Sequence, residues 1–228
     1  MSGAAIPVDL WCARVRPLPR EAQALLSQAE QQRLGQILGT EERAAYVSAH
    51  LLKRHVLAQH LKCSPAAVRL KTGWNGRPEL CDARALSFNL SHSGGYVALA
   101  VCAEAPVGVD IEQVRPRPSA RRVVERLFAP EEKRLLLTLA EGEFASAFLR
   151  LWTLKEAFIK ATGEGLARSL SSFAIDWRQP RLLRGAAQPY ALAGFSLGTS
   201  YCGSLAAGGG LSMTLRKMDA TALLNKYT

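Results

Sequence analysis

The sequence predicts an α+β fold built from two halves of similar size. Helix-like and strand-like segments occur in both halves of the 228 residues, and the break between the halves lies near 105–118, where the Pro-rich stretch VRPRPS begins at residue 114. Hydrophobic residues make up 48% of a chain that is long enough to bury a substantial core. We therefore expect an N-terminal half over 1–105 and a C-terminal half over 106–228, with no internal sequence repeat.

The first half begins with a strand, continues with two helices and ends with extended segments. The strand is predicted at 8–15 and the first helix at 19–38. A second helix begins at Thr40, because acidic residues fill its first turn and helical periodicity continues to residue 61. Extended segments are predicted at 67–72 and 86–93, with a turn at 73–78 between them. The segments at 95–103 and 107–114 are predicted to form a strand pair joined at 104–106.

The second half is predicted to hold three helices and then strands. A helix at 119–128 is followed by one that Pro130 begins, since proline suits the first helical turn. A longer helix runs from 143 to 161 and ends near Gly163 and Gly165. Strands are predicted at 172–177, 190–197, 201–207 and 211–218.

Charge and cysteine content limit the classes of partner and compartment. The net charge of +10 indicates polyanionic partners, such as nucleic acid, a phosphorylated small molecule or an acidic protein. The five cysteines are scattered without a C-x-x-C pair, which argues against disulfides and a zinc site and favours a reducing cytoplasm. No signal peptide is evident at 1–16, and the apolar run at 96–103 is too short to span a bilayer, so we expect no membrane association.

Two acidic residues share one face of the strand VGVDIEQV at 107–114. Side chains alternate along a strand, so Asp110 and Glu112 point the same way while Val109 and Ile111 point the other. Like charges repel, and an unpaired buried charge is costly, so a positive group is expected between them. The alternative is an exposed acidic edge that discourages strand pairing.

The long helix carries a polar stripe in LWTLKEAFIK at 151–160. Trp152, Glu156 and Lys160 recur every four residues, with Lys155 beside them. A Glu–Lys pair at this spacing is often only a solvated surface pair. Glu156 nevertheless joins Asp110 and Glu112 in a candidate set of three carboxylates. Oxygen ligands without His or Cys favour Mg²⁺, with Mn²⁺ as the other choice.

A third stretch, FNLSHSGG at 88–95, offers groups that suit an anion. Ser91 and His92 make a poor catalytic dyad, because adjacent strand residues diverge, but a hydroxyl and an imidazole before two glycines can contact phosphate. The alternative is a buried or capping histidine. Arg77 in the turn GRP, and Lys53 with Arg54 on the second helix, add cations that could equally be solvent-exposed.

These fragments, in this order, resemble the 4'-phosphopantetheinyl transferases, of the type first known from activating surfactin synthetase. The match consists of GRP, FNLSHS, GVDIE and WTLKEAFIK over 76–166. The resemblance implies a pseudo-dimer of two similar α+β halves with the active site in the cleft between them. It also implies transfer of the phosphopantetheine arm of coenzyme A to a serine of an acyl or peptidyl carrier protein, releasing adenosine 3',5'-bisphosphate.

The resemblance also implies roles for individual residues. Asp110, Glu112 and Glu156 would surround Mg²⁺ on the pyrophosphate, and Glu156 would accept the serine proton directly or through water. Lys160 would steady the pyrophosphate. The coenzyme A contacts implied by the resemblance are Arg54, Arg77, Ser91, His92 and Lys160.

Two other functions fit part of the pattern. A metal-dependent nuclease would also use paired acids and a basic surface, but it does not explain NLSHS or the order of the motifs. A non-catalytic nucleic-acid-binding protein would explain the charge, although an aromatic content of 7% is low for one. We expect a transferase that acts as a monomer and binds neither nucleic acid nor membrane; the resemblance leaves open whether its carrier serves fatty-acid, polyketide or peptide synthesis.

Overall fold

Two sheets and two long helices organise the part of the chain that the computed structural model describes, residues 5–73, 76–81 and 86–227. Trp74 and Asn75 of the predicted turn lie outside these ranges. The described strands form a four-stranded sheet, a five-stranded sheet and a small two-stranded sheet. The fold is therefore α+β, as predicted.

Each half begins with one strand, continues with three helices and then holds a run of strands. In the first half they are β1 (Ile6–Arg14), α1 (Arg20–Gln23), α2 (Gln28–Gly35), α3 (Thr40–Leu61), β2 (Leu70–Thr72), β3 (Pro78–Leu80), β4 (Ser87–Ser93) and β5 (Tyr96–Cys102). In the second half they are β6 (Val107–Gln113), α4 (Ala120–Leu127), α5 (Pro130–Leu136), α6 (Glu141–Thr162), β7 (Ala174–Asp176), β8 (Arg181–Arg184), β9 (Tyr190–Leu197), β10 (Tyr201–Gly208), β11 (Met213–Asp219) and α7 (Thr221–Asn225). Strands β3 and β8 and helix α7 were not expected.

The predicted helix over 19–38 is divided in two at Ser27. The Ser27 backbone is extended, its Oγ accepts a hydrogen bond from the Glu30 N–H, and the Glu30 carboxylate accepts one from the Ser27 N–H. This capping box begins a new helix. The sequence S-Q-A-E carries that signal.

The core has three apolar layers. Helix α3 packs on the first sheet, for example through Leu52 and Leu99. Helix α6 packs on the second sheet through residues such as Phe158 and Leu192. The remaining apolar faces of β1, β5, β6 and β10 pack against each other. The two sheets therefore lie between the two long helices.

The two halves repeat the same architecture. The strand order β1-β5-β4 in the first sheet corresponds to β6-β10-β9 in the second. In both halves a glutamate in the first turn of a short helix binds a buried lysine of the long helix. Glu30 contacts Lys53 at 2.8 Å and Glu132 contacts Lys155 at 2.7 Å, each pair 23 residues apart in sequence. The two similar halves that the resemblance implies are therefore present in the structure, although no repeat is evident in the sequence itself.

Two strand pairings differ from expectation. Strands β5 and β6 do not pair with each other, because β5 belongs to the first sheet and β6 to the second. Strand β11 pairs in parallel with β1. The C-terminal strand therefore completes the first sheet, and the division at residue 105 does not separate the two sheets.

Side chains of β4 join the two sheets along the edge of β6. Alternate residues of β6 donate their backbone N–H groups to alternate side chains of β4, an arrangement we call the β4–β6 seam. The bonds run from Val107 to Ser87 Oγ (3.1 Å), from Val109 to Asn89 Oδ1 (3.0 Å), from Ile111 to Ser91 Oγ (3.3 Å) and from Gln113 to Ser93 Oγ (3.1 Å). The seam satisfies an otherwise unpaired strand edge.

All five cysteines are free thiols. Among the described residues, the helices are too short or too polar for any of them to cross a membrane.

Candidate active site

Gly108 allows helix α6 to lie directly against strand β6. A Cβ atom at this position would lie 2.0 Å from the Ala157 carbonyl oxygen and 2.5 Å from the Ala161 nitrogen. Both are backbone atoms, so a larger residue would force the helix away from the strand. The glycine of GVDIE thus brings the polar stripe of α6 over the acidic face of β6.

Asp110 is held by one of its two carboxylate oxygens. Its Oδ1 accepts a hydrogen bond from Lys160 Nζ at 2.7 Å and one from Ser91 Oγ at 3.0 Å. Its Oδ2 is buried and has no partner within the described residues. Burial raises the pKa of Asp110, and Lys160 and Ser91 offset this only in part.

Glu112 repeats this arrangement. Its Oε2 accepts hydrogen bonds from Arg117 Nη2 at 2.7 Å and from Ser93 Oγ at 2.9 Å. For Oε1, no hydrogen-bond partner occurs in the described ranges. Sequence reasoning missed Arg117 and Ser93, although the alternating polar residues of SFNLSHS indicated that several β4 side chains share a face.

Glu156 faces both acids without a cation bonded to it. Its carboxylate forms no hydrogen bond with any other described residue, and its side chain is half-buried. Burial raises the pKa of Glu156, and the negative charge of Asp110 raises it further, against the opposing effect of Lys160. A carboxyl with a raised pKa is a stronger proton acceptor than an ordinary glutamate.

Lys160 neutralises Asp110. Its Nζ donates to Asp110 Oδ1, to Ser91 Oγ at 3.3 Å and to the Val109 carbonyl oxygen at 3.2 Å. The positive groups expected between the two strand acids are therefore partly supplied by the protein itself, by Lys160 at one acid and Arg117 at the other.

The donor set suits a hard cation, although the carboxylates do not converge. Asp110 Oδ2, Glu112 Oε1 and the Glu156 carboxylate are oxygens without hydrogen-bond partners among the described residues. A buried carboxylate oxygen left without a donor is costly unless a cation or water binds it. In the described part of the chain, no three His, Cys, Asp or Glu side chains are close enough together to share an ion. The chemistry of these oxygens fits Mg²⁺, and the three carboxylates would have to approach one another to share it.

His92 lies exposed beside this site. Partial desolvation of the ring and the positive charge of Lys160 lower the pKa of His92, against the opposing effect of Glu112. The imidazole is thus neutral at neutral pH, and an approaching anion would favour its protonation.

Arg77 connects the two halves through backbone groups, which differs from the expected coenzyme A contact. Its Nη1 donates to the Lys160 carbonyl oxygen at 2.8 Å. Its Nη2 donates to the carbonyl oxygens of Phe88 at 3.1 Å and Val107 at 3.0 Å, and to Ser87 Oγ at 3.3 Å. The terminal nitrogens are therefore occupied by the protein.

Arg54 is also not a surface cation, so its burial does not favour the coenzyme A contact that the resemblance implies, and that contact stays a prediction. It is 2% exposed, and its Nε donates to Glu30 Oε2 at 2.7 Å. Its Nη1 donates to the carbonyl oxygens of Pro65 and Val68. Lys53, also 2% exposed, binds the same glutamate. Burial would raise the pKa of Glu30, but bonds and charges from His50 and Lys53 hold it well below its usual range.

A cavity of about 640 Å³ opens where the two halves meet. Residues of the first half, such as Val15, Pro17, Arg43 and Gly94, form most of its lining, and the second half contributes Gln113. Arg16, between two lining residues, has a buried Nε without a partner in the described ranges. A positive group of this kind suits an anionic ligand.

A second cavity, of about 1080 Å³, lies on the C-terminal half. Its wall is apolar at Phe144, Phe148 and Phe195, and arginines surround it. These arginines are Arg115, Arg117, Arg150 and Arg178. Arg117 connects this cavity with Glu112 of the acidic site.

Comparison with known proteins assigns both halves to one family. The family model of the 4'-phosphopantetheinyl transferase superfamily matches residues 106–205, and the model of the 4'-phosphopantetheinyl transferase N-terminal region matches residues 16–104. These matches meet at the boundary between β5 and β6. They give no support to the metal-dependent nuclease.

Individual relatives agree with the family models. A protein of Synechocystis sp. whose name places it among the 4'-phosphopantetheinyl transferases is 36% identical over 72% of this chain and 68% of its own. The transferase HetI of Nostoc sp. is 34% identical over 72% of this chain and 68% of its own. The transferase Sfp of Bacillus subtilis is 29% identical over 72% of this chain and 74% of its own.

Among solved structures, the holo-[acyl-carrier-protein] synthase of Thermotoga maritima is 25% identical, with a TM-score of 0.37 over 46% of this chain and 63% of that one. This similarity is too low to support an argument. The sequence matches suffice: the chain belongs to the 4'-phosphopantetheinyl transferase family.

Proposed function

We propose that this protein transfers the 4'-phosphopantetheine arm of coenzyme A to a serine of an apo-carrier protein in a Mg²⁺-dependent reaction. The observation that carries the proposal is the contact of β6 with α6, which places Glu156 near Asp110 and Glu112 on one face of the strand. Asp110 keeps a buried carboxylate oxygen without a hydrogen-bond partner among the described residues. Asp110 and Glu112 lie where strand β6 of the second half meets strand β4 of the first.

The reaction forms one phosphorus–oxygen bond and breaks another. The carrier serine oxygen attacks the pyrophosphate phosphorus nearest pantetheine, and the bond from this phosphorus to the bridging oxygen breaks. Adenosine 3',5'-bisphosphate leaves with the electrons of that bond. Glu156 accepts the serine proton, directly or through water, because burial and the charge of Asp110 raise its basicity.

Asp110, Glu112 and Glu156 would hold the metal ion. Mg²⁺ bound there supplies positive charge to the pyrophosphate during transfer. Lys160 holds Asp110 in place and neutralises it. Lys160 would also donate to the negative pyrophosphate, and His92 would contact a phosphate from its exposed position beside the site.

The two cavities provide room for the two substrates. The cavity of about 640 Å³ suits the nucleotide end of coenzyme A, since Arg43 lines it and Arg16 lies between its lining residues Val15 and Pro17 in sequence. The arginine-rimmed cavity on the C-terminal half suits an acidic carrier surface. Action as a monomer and a cytoplasmic location stay predictions.

Incubation with coenzyme A, Mg²⁺ and a purified apo-carrier tests the proposal. We expect the intact mass of the carrier to rise by one phosphopantetheinyl group, and a carrier with its acceptor serine changed to alanine to stay unmodified. Cleavage of added DNA or RNA under the same conditions, without carrier modification, would instead support a nuclease.

A further inference from the structure

In the described part of the chain, two of the four side chains in the β4–β6 seam also bind a carboxylate, and the other two do not. All four accept a backbone N–H from β6. Ser91 and Ser93 in addition donate their hydroxyl protons to the acids, Ser91 to Asp110 Oδ1 at 3.0 Å and Ser93 to Glu112 Oε2 at 2.9 Å. Ser87 and Asn89 contact no carboxylate among the described residues.

The seam determines the direction of the Ser93 hydroxyl proton. A serine hydroxyl has one proton and two lone pairs. The Gln113 N–H occupies a lone pair of Ser93 at 3.1 Å. The proton is then available to Glu112 Oε2, the same oxygen that Arg117 binds at 2.7 Å. Both donors hold one oxygen of Glu112 and leave Oε1 free.

We propose that Ser93 is a positioning residue that holds Glu112 with Oε1 turned towards the metal. This inference rests on the proposed function, since it takes Glu112 as a metal ligand. Partners that orient a metal-binding side chain typically contribute about 10–100-fold to metal affinity. Ser93 touches neither the metal nor the substrate and acts through Glu112 alone.

Ser87 provides a matched control from the same seam. It accepts the Val107 N–H at 3.1 Å, as Ser93 accepts that of Gln113, and it also accepts a hydrogen bond from Arg77. Ser87→Ala therefore removes at least as many structural contacts as Ser93→Ala. A purely structural role for Ser93 would make the two variants behave alike.

The experiment measures Mn²⁺ binding to the full-length protein in complex with coenzyme A, by electron paramagnetic resonance of the free ion. We expect Ser93→Ala to weaken Mn²⁺ binding by about tenfold, at the lower end of the range for such partners. Ser87→Ala should stay within about twofold of the parent, and Ser93→Thr, which keeps the hydroxyl, should recover most of the affinity. In transfer assays, the Mg²⁺ concentration for half-maximal rate should shift for Ser93→Ala alone.

Glu112→Gln separates failure of the inference from failure of the proposed function. If Glu112→Gln weakens Mn²⁺ binding while Ser93→Ala matches Ser87→Ala, the inference is wrong and the proposed metal site stands. If Glu112→Gln leaves Mn²⁺ binding unchanged, both are wrong. Urea unfolding of each variant shows whether any loss of binding follows only from a weakened fold, which would also overturn the inference.

Discussion

Glu156→Gln should remove most of the activity while leaving the fold at least as stable. The ionised Glu156 carboxylate is half-buried beside Asp110 and lacks a hydrogen-bonded cation among the described residues, and both burial and Asp110 raise its pKa. When folding raises the pKa of a carboxyl group, the ionised form of that group lowers the free energy of unfolding. At neutral pH the charge of Glu156 therefore disfavours the folded state, and a neutral glutamine removes that cost.

The loss of transfer rate and the gain in stability of Glu156→Gln differ in magnitude. Loss of a general base typically lowers the rate by about 10²–10⁴-fold, and loss of a metal ligand adds to this. The gain in unfolding free energy should be only about 0–1 kcal/mol, because the side chain remains partly solvated and screened. Coenzyme A affinity should fall less than turnover, since Glu156 acts on the serine and the metal.

The assay combines single-turnover transfer to an apo-carrier with urea unfolding. Glu143→Gln is the matched control, because Glu143 lies on the same helix and is exposed. We expect the control to transfer at the parent rate. A folded Glu156→Gln protein within about threefold of the parent rate would fall far short of the expected loss and would remove Glu156 from the mechanism.

Three other variants test individual residues. His92→Ala should weaken coenzyme A binding in calorimetry by about tenfold, the value of one charged hydrogen bond, without changing Tm; unchanged affinity would exclude the contact. Arg77→Lys should lower the unfolding free energy by about 2 kcal/mol, since lysine cannot span the same carbonyls, and it should change coenzyme A affinity little. Unchanged stability together with a clear loss of coenzyme A affinity would instead support Arg77 as a substrate contact. Glu30→Ala should cost about 3–5 kcal/mol in urea unfolding, because it leaves Lys53 and Arg54 buried without their carboxylate. Because folding lowers the pKa of Glu30, its ionised carboxylate stabilises the fold at neutral pH, and this stabilisation is lost as the pH falls below the ordinary glutamate pKa of 4.5. Glu30→Ala should therefore show a flatter dependence of unfolding free energy on pH than the parent. An unchanged pH profile would contradict this.

The acidic site was predictable because its signals are local. The spacing of Asp110 and Glu112 on a strand, and of Glu156 and Lys160 on a helix, determines which side chains share a face. The capping box at Ser27 was equally local and could have been recognised as the break in the helix predicted over 19–38.

The remaining features depend on contacts distant in sequence. Arg54 resembles a surface cation in its own helix, and only its buried partner Glu30, 24 residues away, makes it part of the core. A short link between two strands does not distinguish a hairpin from a crossing into another sheet, so β5 and β6 were predicted to pair. The parallel pairing of β11 with β1 joins opposite ends of the chain, and no local pattern indicates it.

The most direct test of the account follows both products of one reaction. The protein is incubated with coenzyme A and an apo-carrier, first with a chelator and then with Mg²⁺ restored in excess, and carrier mass and free adenosine 3',5'-bisphosphate are measured together. We expect neither product under chelation and, with Mg²⁺, one bisphosphate released for each carrier modified. Modification that continues at full rate under chelation, or bisphosphate released without carrier modification, would contradict a metal-dependent transfer at Asp110, Glu112 and Glu156.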